Sequence, residues 1–264
     1  MNIFIRELKA NFKSLLIWGG IALLFSLVGF AKFSAYEGNP ELLAILDDMP
    51  AALIDALNLK AFNLTTVTGF YAVMFTYFSL ILSIAAAMWG SDIISKEERD
   101  KTVEFSLTLP ITRSQVITSK ALAALVNCVV LLLLTWGFVL YGASSYQPDG
   151  DFYSFVALSM AAVFVMQLIF LSIGILLGCA MKQYRRAGSV AVSLLLGTYF
   201  LSILSGLDDR LAFLHYLSPF TYFNPGSMLR DSTLDPTYLA LSLGIVVIAI
   251  VFAYSSYAKR DLYI

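Results

Sequence analysis

Long apolar runs separated by short polar connectors dominate this chain. Runs such as "VVLLLLTWGFVL" and "LGIVVIAIVFAY" show no period-two alternation, which argues against membrane strands and for helices. A membrane helix needs about 20 mainly apolar residues, because each adds only about 1.5 Å of rise. Six stretches meet that length: 14–33, 67–94, 116–142, 152–181, 187–206 and 237–258. The expected fold is all-α, a polytopic membrane protein with six transmembrane helices. Residues 1–264 are read as one membrane domain, without internal repeat or soluble insertion. The first run is read as a retained anchor, since it exceeds a usual signal-peptide core and no small-x-small cleavage site follows it.

Composition agrees with this pattern. Hydrophobic residues make up 59% and charged residues 13% of the chain, against about 25% charged in a soluble domain. The net charge of −1 gives no reason to expect nucleic acid as a partner. Where the charges fall is more informative. Of the 17 basic residues, Lys32, Lys60, Arg210 and Arg230 lie on one side; the others, from Arg6 to Arg260, lie on the opposite side with both termini. Basic residues stay cytoplasmic during insertion. Both termini and the connector between the second and third spans are therefore expected in the cytoplasm. The opposite face is acid-rich, with Glu37, Asp47, Asp149, Asp208 and Asp235 among its residues.

The opening "MNIFIRELKANFKSLLIW" places Phe4, Leu8, Phe12 and Leu15 at helical spacing, with Arg6, Glu7, Lys9 and Lys13 on other faces. This pattern predicts an interfacial amphipathic helix before the first span. Two outer connectors are more than turns. Residues 34–66 carry apolar positions suited to short amphipathic helices broken at Pro50. Residues 207–236, with "LHYLSPFTYFNPGSML", fit either the interface, where aromatics are stable, or a dip into the protein, where other protein shields irregular backbone.

The most highly charged stretch is "SKEERDKTVEFSLTLPITRSQ", from Ser95 to Gln115. Glu97 and Lys101 have the spacing and order of a favourable helical pair. Val103, Phe105, Leu107 and Leu109 alternate with polar residues, which fits a strand. The helical alternative pairs Val103 with Leu107 and Phe105 with Leu109. Pro110 ends the element, and Thr112 with Gln115 forms a capping box for the third span. Charge alone fits a solvated surface, but Val103, Phe105 and Leu107 add an apolar side suited to docking a soluble partner.

The segment "EERDKTVEFSLTLPITRSQVITSK" resembles the first cytoplasmic loop of bacterial permeases of the ABC type-two exporter family. Glu97, Glu98, Arg99, Asp100, Thr102, Glu104, Leu109, Pro110 and Arg113 match its pattern in place; Lys101 departs from the glycine often found there. The opening "FIRELKANFKSLLIW" and the later "YLSPFTYFNP" resemble the same family. The resemblance implies a cytoplasmic coupling helix between spans two and three that docks in a separate ABC ATPase. It implies an interfacial opening helix and an outer re-entrant or cap element. It also implies a second permease subunit, as homodimer or heterodimer, with the first and fifth spans at the dimer interface. The setting would be a bacterial cell membrane. The expected ATPase-coupling residues are Glu97, Glu98, Arg99, Asp100, Thr102, Glu104, Phe105, Pro110 and Arg113.

This chain has no G-x-x-x-x-G-K-[ST] phosphate loop, so ATP and Mg are expected on the partner ATPase, and no cofactor on this chain. It also lacks G-x-S-x-G and H-E-x-x-H, and is read as a transport subunit, not an enzyme. One His and no Cys/His cluster predict no metal site. Cys128 and Cys179 sit in apolar runs as small buried side chains. Candidate pathway residues are Thr76, Ser79, Ser83, Asn127 and Gln167, which also fit hydrogen bonding between helices. Gly174 and Gly178 predict close helix packing within the subunit. The expected substrate is an amphiphile, a peptide or a drug. The alternatives are an ATP-independent channel or carrier, disfavoured by the lack of intramembrane relay charges, and a non-transporting scaffold or immunity protein.

Overall fold

The computed structural model describes residues 3–39, 62–99, 112–207 and 209–259. Among them the chain forms helices α1 (Ile3–Phe33), α2 (Val67–Arg99), α3 (Arg113–Ala143), α4 (Gly150–Ala180) and α5 (Tyr184–Ser205). Short helices α6 (Pro219–Tyr222) and α7 (Pro225–Asp231) follow, and α8 (Pro236–Ala258) closes the described chain. No strand occurs among the described residues. Six helices, α1 to α5 and α8, are long and apolar enough to cross a membrane. They coincide with the six apolar runs of the sequence.

Local chemistry explains where several helices begin. The hydroxyl of Thr112 accepts from the Gln115 amide at 3.2 Å, and the Gln115 side chain accepts from the Thr112 amide at 3.0 Å. This is the capping box expected at the start of α3. Asp149 accepts from the Phe152 amide at 2.9 Å and starts α4. The starts of α6, α7 and α8 share another device. Ser218, Asn224 and Asp235 each cap a helix whose first residue is proline. The cap satisfies a free amide, and proline fits a position that needs no amide donor.

Two helices form the centre. The apolar windows of α2 and α4 are each 61% buried, against 22% for α1 and 17% for α5 and α8. α2 and α4 run parallel in close contact, because glycines let their backbones meet. A β-carbon on Gly174 would sit 2.5 Å from the Ala87 carbonyl oxygen, and one on Gly178 would sit 2.7 Å from that of Ser91. The glycine pair therefore packs within the subunit, as its spacing predicts. Gly197 on α5 faces open space instead. Around this centre, α1 packs on α3, α8 on α4, and α5 on α2. At the acid-rich end, Tyr71 bonds Ser159 at 2.7 Å and meets Phe152 and Phe155 edge-on.

Helix length separates the spans into two classes. α2 and α4, at 33 and 31 residues, are about 50 and 46 Å long. α5 and α8, at 22 and 23 residues, are about 33 and 35 Å, close to the hydrocarbon thickness. The chain after α5 turns back alongside it. The Ser218 hydroxyl donates to the Thr198 carbonyl at 2.7 Å, about 10 Å of rise before α5 ends. Phe220 meets the rings of Phe170 and Tyr199. The connector thus dips beside α5. Its irregular backbone is tied down by Thr221, which donates to the His215 carbonyl, and by Tyr222, which donates to that of Tyr216.

Candidate functional site at the basic end of the bundle

The charged connector leaves α2 and enters α3 at the end of the bundle that is rich in Lys and Arg. Glu97, Glu98 and Arg99 form the last turn of α2. Asp100, Thr102, Glu104, Phe105 and Pro110 lie outside the described residues, and with them the expected coupling helix. Arg113 opens α3. Its guanidinium donates to the carbonyls of Tyr257 and Ala258 at 3.2 and 3.3 Å and lies 5.9 Å from the Tyr257 ring centre. A cation at the carbonyl end of α8 is favoured by the helix dipole. Thr118 and Tyr254 add a hydroxyl pair at 2.6 Å between the same two helices. The exit of the connector is thereby fastened to α8.

A second fastening was not legible in the sequence. Glu7 is 5% exposed and turned into the bundle. Its carboxylate lies 3.4 Å from the ammonium of Lys120 on α3 and 3.9 Å from that of Lys96 on α2. Lys120 is fully buried and donates to the Ile93 carbonyl at 2.6 Å. Lys96 donates to Asn11 at 3.4 Å, and the Trp89 indole donates to Ser14 at 3.0 Å. Glu7, Asn11, Ser14 and Trp18 lie on one stripe of α1 at helical spacing. The opening helix is present as expected, but it continues without a break into the first span. Its polar stripe faces protein, while Phe12 and Leu16 are exposed. In a bilayer this inversion is reasonable, since apolar side chains gain nothing by turning from lipid to protein.

Beside this cluster, α1, α2 and α5 line an open groove of about 1280 Å³. Its lining includes Lys13, Trp18, Asp92, Lys96, Arg185 and Ser193. A model of the family described as "ABC-2 family transporter protein" matches residues 1–262, nearly the whole chain. The chain belongs to the ABC-2 transporter family. No curated protein matches it. Membership and six apolar helices together make it a multi-pass membrane protein. Membership also identifies it as a transport component, of a kind that generally partners with ATPase subunits.

In this ABC-2 protein four of the candidate pathway residues, Ser79, Ser83, Asn127 and Gln167, are buried, and Thr76 is half-buried. Ser79 donates to the Thr76 carbonyl at 2.7 Å. Ser83, Asn127 and Gln167 are buried on three neighbouring helices. The Gln167 amide nitrogen lies 3.4 Å from the Cys128 carbonyl. The Ser83 hydroxyl, the Asn127 amide nitrogen and the Gln167 amide oxygen find no hydrogen-bond partner among the described residues. None of the five lines the basic-end groove or a second one of about 970 Å³ at the opposite end. That second groove lies between α5, the dipping connector and the start of α8, and includes His215, Arg230 and the stacked pair Tyr222 and Tyr238, 4.9 Å apart. Burial pushes the Tyr222 phenol up, which keeps it a donor. Cys128 and Cys179 are buried thiols that form no disulfide. No metal-binding group of His, Cys, Asp and Glu occurs among the described residues.

Proposed function

We propose that this chain is the membrane subunit of an ATP-driven exporter, working as a dimer and coupled to a separate cytoplasmic ATPase through residues 97–113. The observation that carries this reading is how the ends of that segment are anchored. At its start, α2 is joined to α1 and α3 through Lys96, Glu7 and Lys120. At its end, Arg113 is joined to α8. A force on the connector therefore reaches four spans through charged or short polar contacts. A surface loop with no mechanical role has no need of such anchorage. The basic connector side then faces the cytoplasm, in keeping with the distribution of Lys and Arg.

The test is charge reversal at the connector. The full-length protein is reconstituted with its cognate ATPase, and Glu98→Lys and Arg99→Glu are compared with wild type. Both variants are expected to insert and dimerise normally, while ATP hydrolysis is no longer tied to transport. Normal transport by both variants would remove the coupling role. Transport in vesicles without any ATPase would favour the channel or carrier reading.

A further inference from the structure

We propose that Ser83, Asn127 and Gln167 hold one buried water molecule at the centre of the bundle, bridging α2, α3 and α4. The three side chains belong to residues that are 0%, 2% and 0% exposed and lie within two residues of the midpoints of their helices. Each of these helices packs on the other two. Their contacts bring the three residues to one depth. Tyr71 bonds Ser159, and a β-carbon on Gly174 would meet the Ala87 carbonyl, so α2 and α4 run side by side in the same direction. In that register Ser83 is level with Phe170 and Leu171, one turn from Gln167. Gln167 in turn reaches the Cys128 carbonyl on α3, next to Asn127. The trio thus spans about one helical turn, or roughly 5 Å of rise.

Each residue brings one polar atom without a hydrogen-bond partner among the described residues: the Ser83 hydroxyl, the Asn127 amide nitrogen and the Gln167 amide oxygen. Buried serines on the same two helices show the contrast. Ser79, Ser91, Ser159 and Ser172 each donate back to a carbonyl of their own helix at 2.7–3.0 Å; Ser83 does not. The Gln167 nitrogen is taken by the Cys128 carbonyl, so its oxygen is the free end. Such atoms are costly to bury unpaired, and at mid-bilayer depth lipid offers them nothing. The chemistry of the set selects its occupant. One atom donates, one accepts, and the hydroxyl does either. A cation would be repelled by the amide N–H, and an anion by the amide oxygen. A neutral molecule that both donates and accepts fits all three. Water accepts from Asn127, donates to Gln167 and completes its bonding with Ser83, the usual three partners of a buried water. Each helix supplies one bond, so the water fixes the mutual depth of three spans. The inference needs neither an ATPase nor a substrate, so it stands or falls independently of the exporter reading.

The experiment is proton-detected solid-state NMR of the full-length protein in lipid bilayers. The protein is deuterated at its carbons, protonated at its exchangeable sites, and labelled with nitrogen-15 in the asparagine and glutamine side chains. Loss of one side-chain signal in Asn127→Leu and of one in Gln167→Met assigns the two amides. In the wild-type protein the Asn127 amide protons should show a cross-peak to protons at the water frequency. That cross-peak should survive Ser83→Ala, so that the serine hydroxyl is not its source. It should be lost when Ser83→Ala is combined with Gln167→Met, which leaves the water a single partner. The wild-type spectrum decides by itself whether water is bound, so the test does not depend on the double variant folding. Absence of a water cross-peak at Asn127 overturns the proposal. So does a cross-peak from Asn127 to the Gln167 amide alone, which would mean a direct amide pair. Loss of the signal in Ser83→Ala alone would assign it to the hydroxyl and also overturn the proposal. Persistence in the double variant would do the same, because hydration would then not depend on these three residues.

Discussion

Glu7→Gln removes a charge and almost no volume, so it isolates the electrostatic role of the buried cluster. The Glu7 and Lys120 side chains are 7% and 0% exposed, and their charges are 3.4 Å apart. Coulomb's law at an effective dielectric of about 20 gives roughly 5 kcal/mol for that separation. Desolvation of the two ions offsets much of it. Deleting one partner is nevertheless costly, about 3–5 kcal/mol, because the remaining ion stays buried. For a chain of this size the loss corresponds to a melting point roughly 6–15 °C lower. The assay is thermal unfolding of the detergent-solubilised protein, carried through a cycle with Lys120→Met. If the charges hold each other, Glu7→Gln combined with Lys120→Met is less damaging than the sum of the single changes by about 2 kcal/mol or more. Additive effects would refute the reasoning and reduce Lys120 to a donor for the Ile93 carbonyl.

Three further outcomes follow from the packing. Gly174→Val should prevent stable assembly or lower the melting point sharply, because its β-carbon would meet the backbone oxygen of Ala87; Gly197→Ala, facing open space, should melt like wild type. Thr112→Ala should cost about 1 kcal/mol through loss of the capping box, read as faster amide exchange confined to the first turn of α3. Spin labels at Ile17 and Val192, across the basic-end groove, should give a broader distance distribution than labels at Tyr77 and Tyr153 on the tightly packed α2–α4 pair; the reverse order would place the soft contact elsewhere.

The spans were legible because membrane helices are specified by length and apolarity, which one sequence displays directly. Helix starts were legible where a short motif carries the geometry, as at Thr112 and Gln115. The glycine pair on α4 was legible as packing, because a missing side chain matters only where another backbone comes close. The basic-end cluster was not legible. Glu7 and Lys120 are 113 positions apart, and no local period links them. In the amphipathic opening Lys9 and Lys13 are exposed, as charged residues there suggest, but Glu7 turns into the protein. The signal that could have revealed this is the stripe Glu7, Asn11, Ser14 and Trp18, which continues the polar face into a span where water is absent. Asn127 and Gln167 were recognisable as unusual mid-span amides, but whether they face a cavity depends on helix rotation, which composition does not fix.

The last three turns of α2 connect these features. Trp89 and Lys96 border the groove, Gly90 seats against α4, Ile93 offers its carbonyl to Lys120, and the charged connector begins where the helix ends. A displacement of the connector cannot move this segment alone. Its contact with α4 is backbone against backbone, and such a seam slides poorly because neither side has a side chain that can change rotamer. Its contact with α3 includes the buried bond from Lys120 to the Ile93 carbonyl, and it meets α1 through the partly exposed ion pair of Lys96 with Glu7. α5 differs. Its apolar window is only 17% buried, its Gly197 faces open space, and a groove separates part of it from α1 and α2. The connector after α5 nevertheless packs on α4 through Phe220 and Phe170, so α5 is a more exposed span that is still joined to the centre.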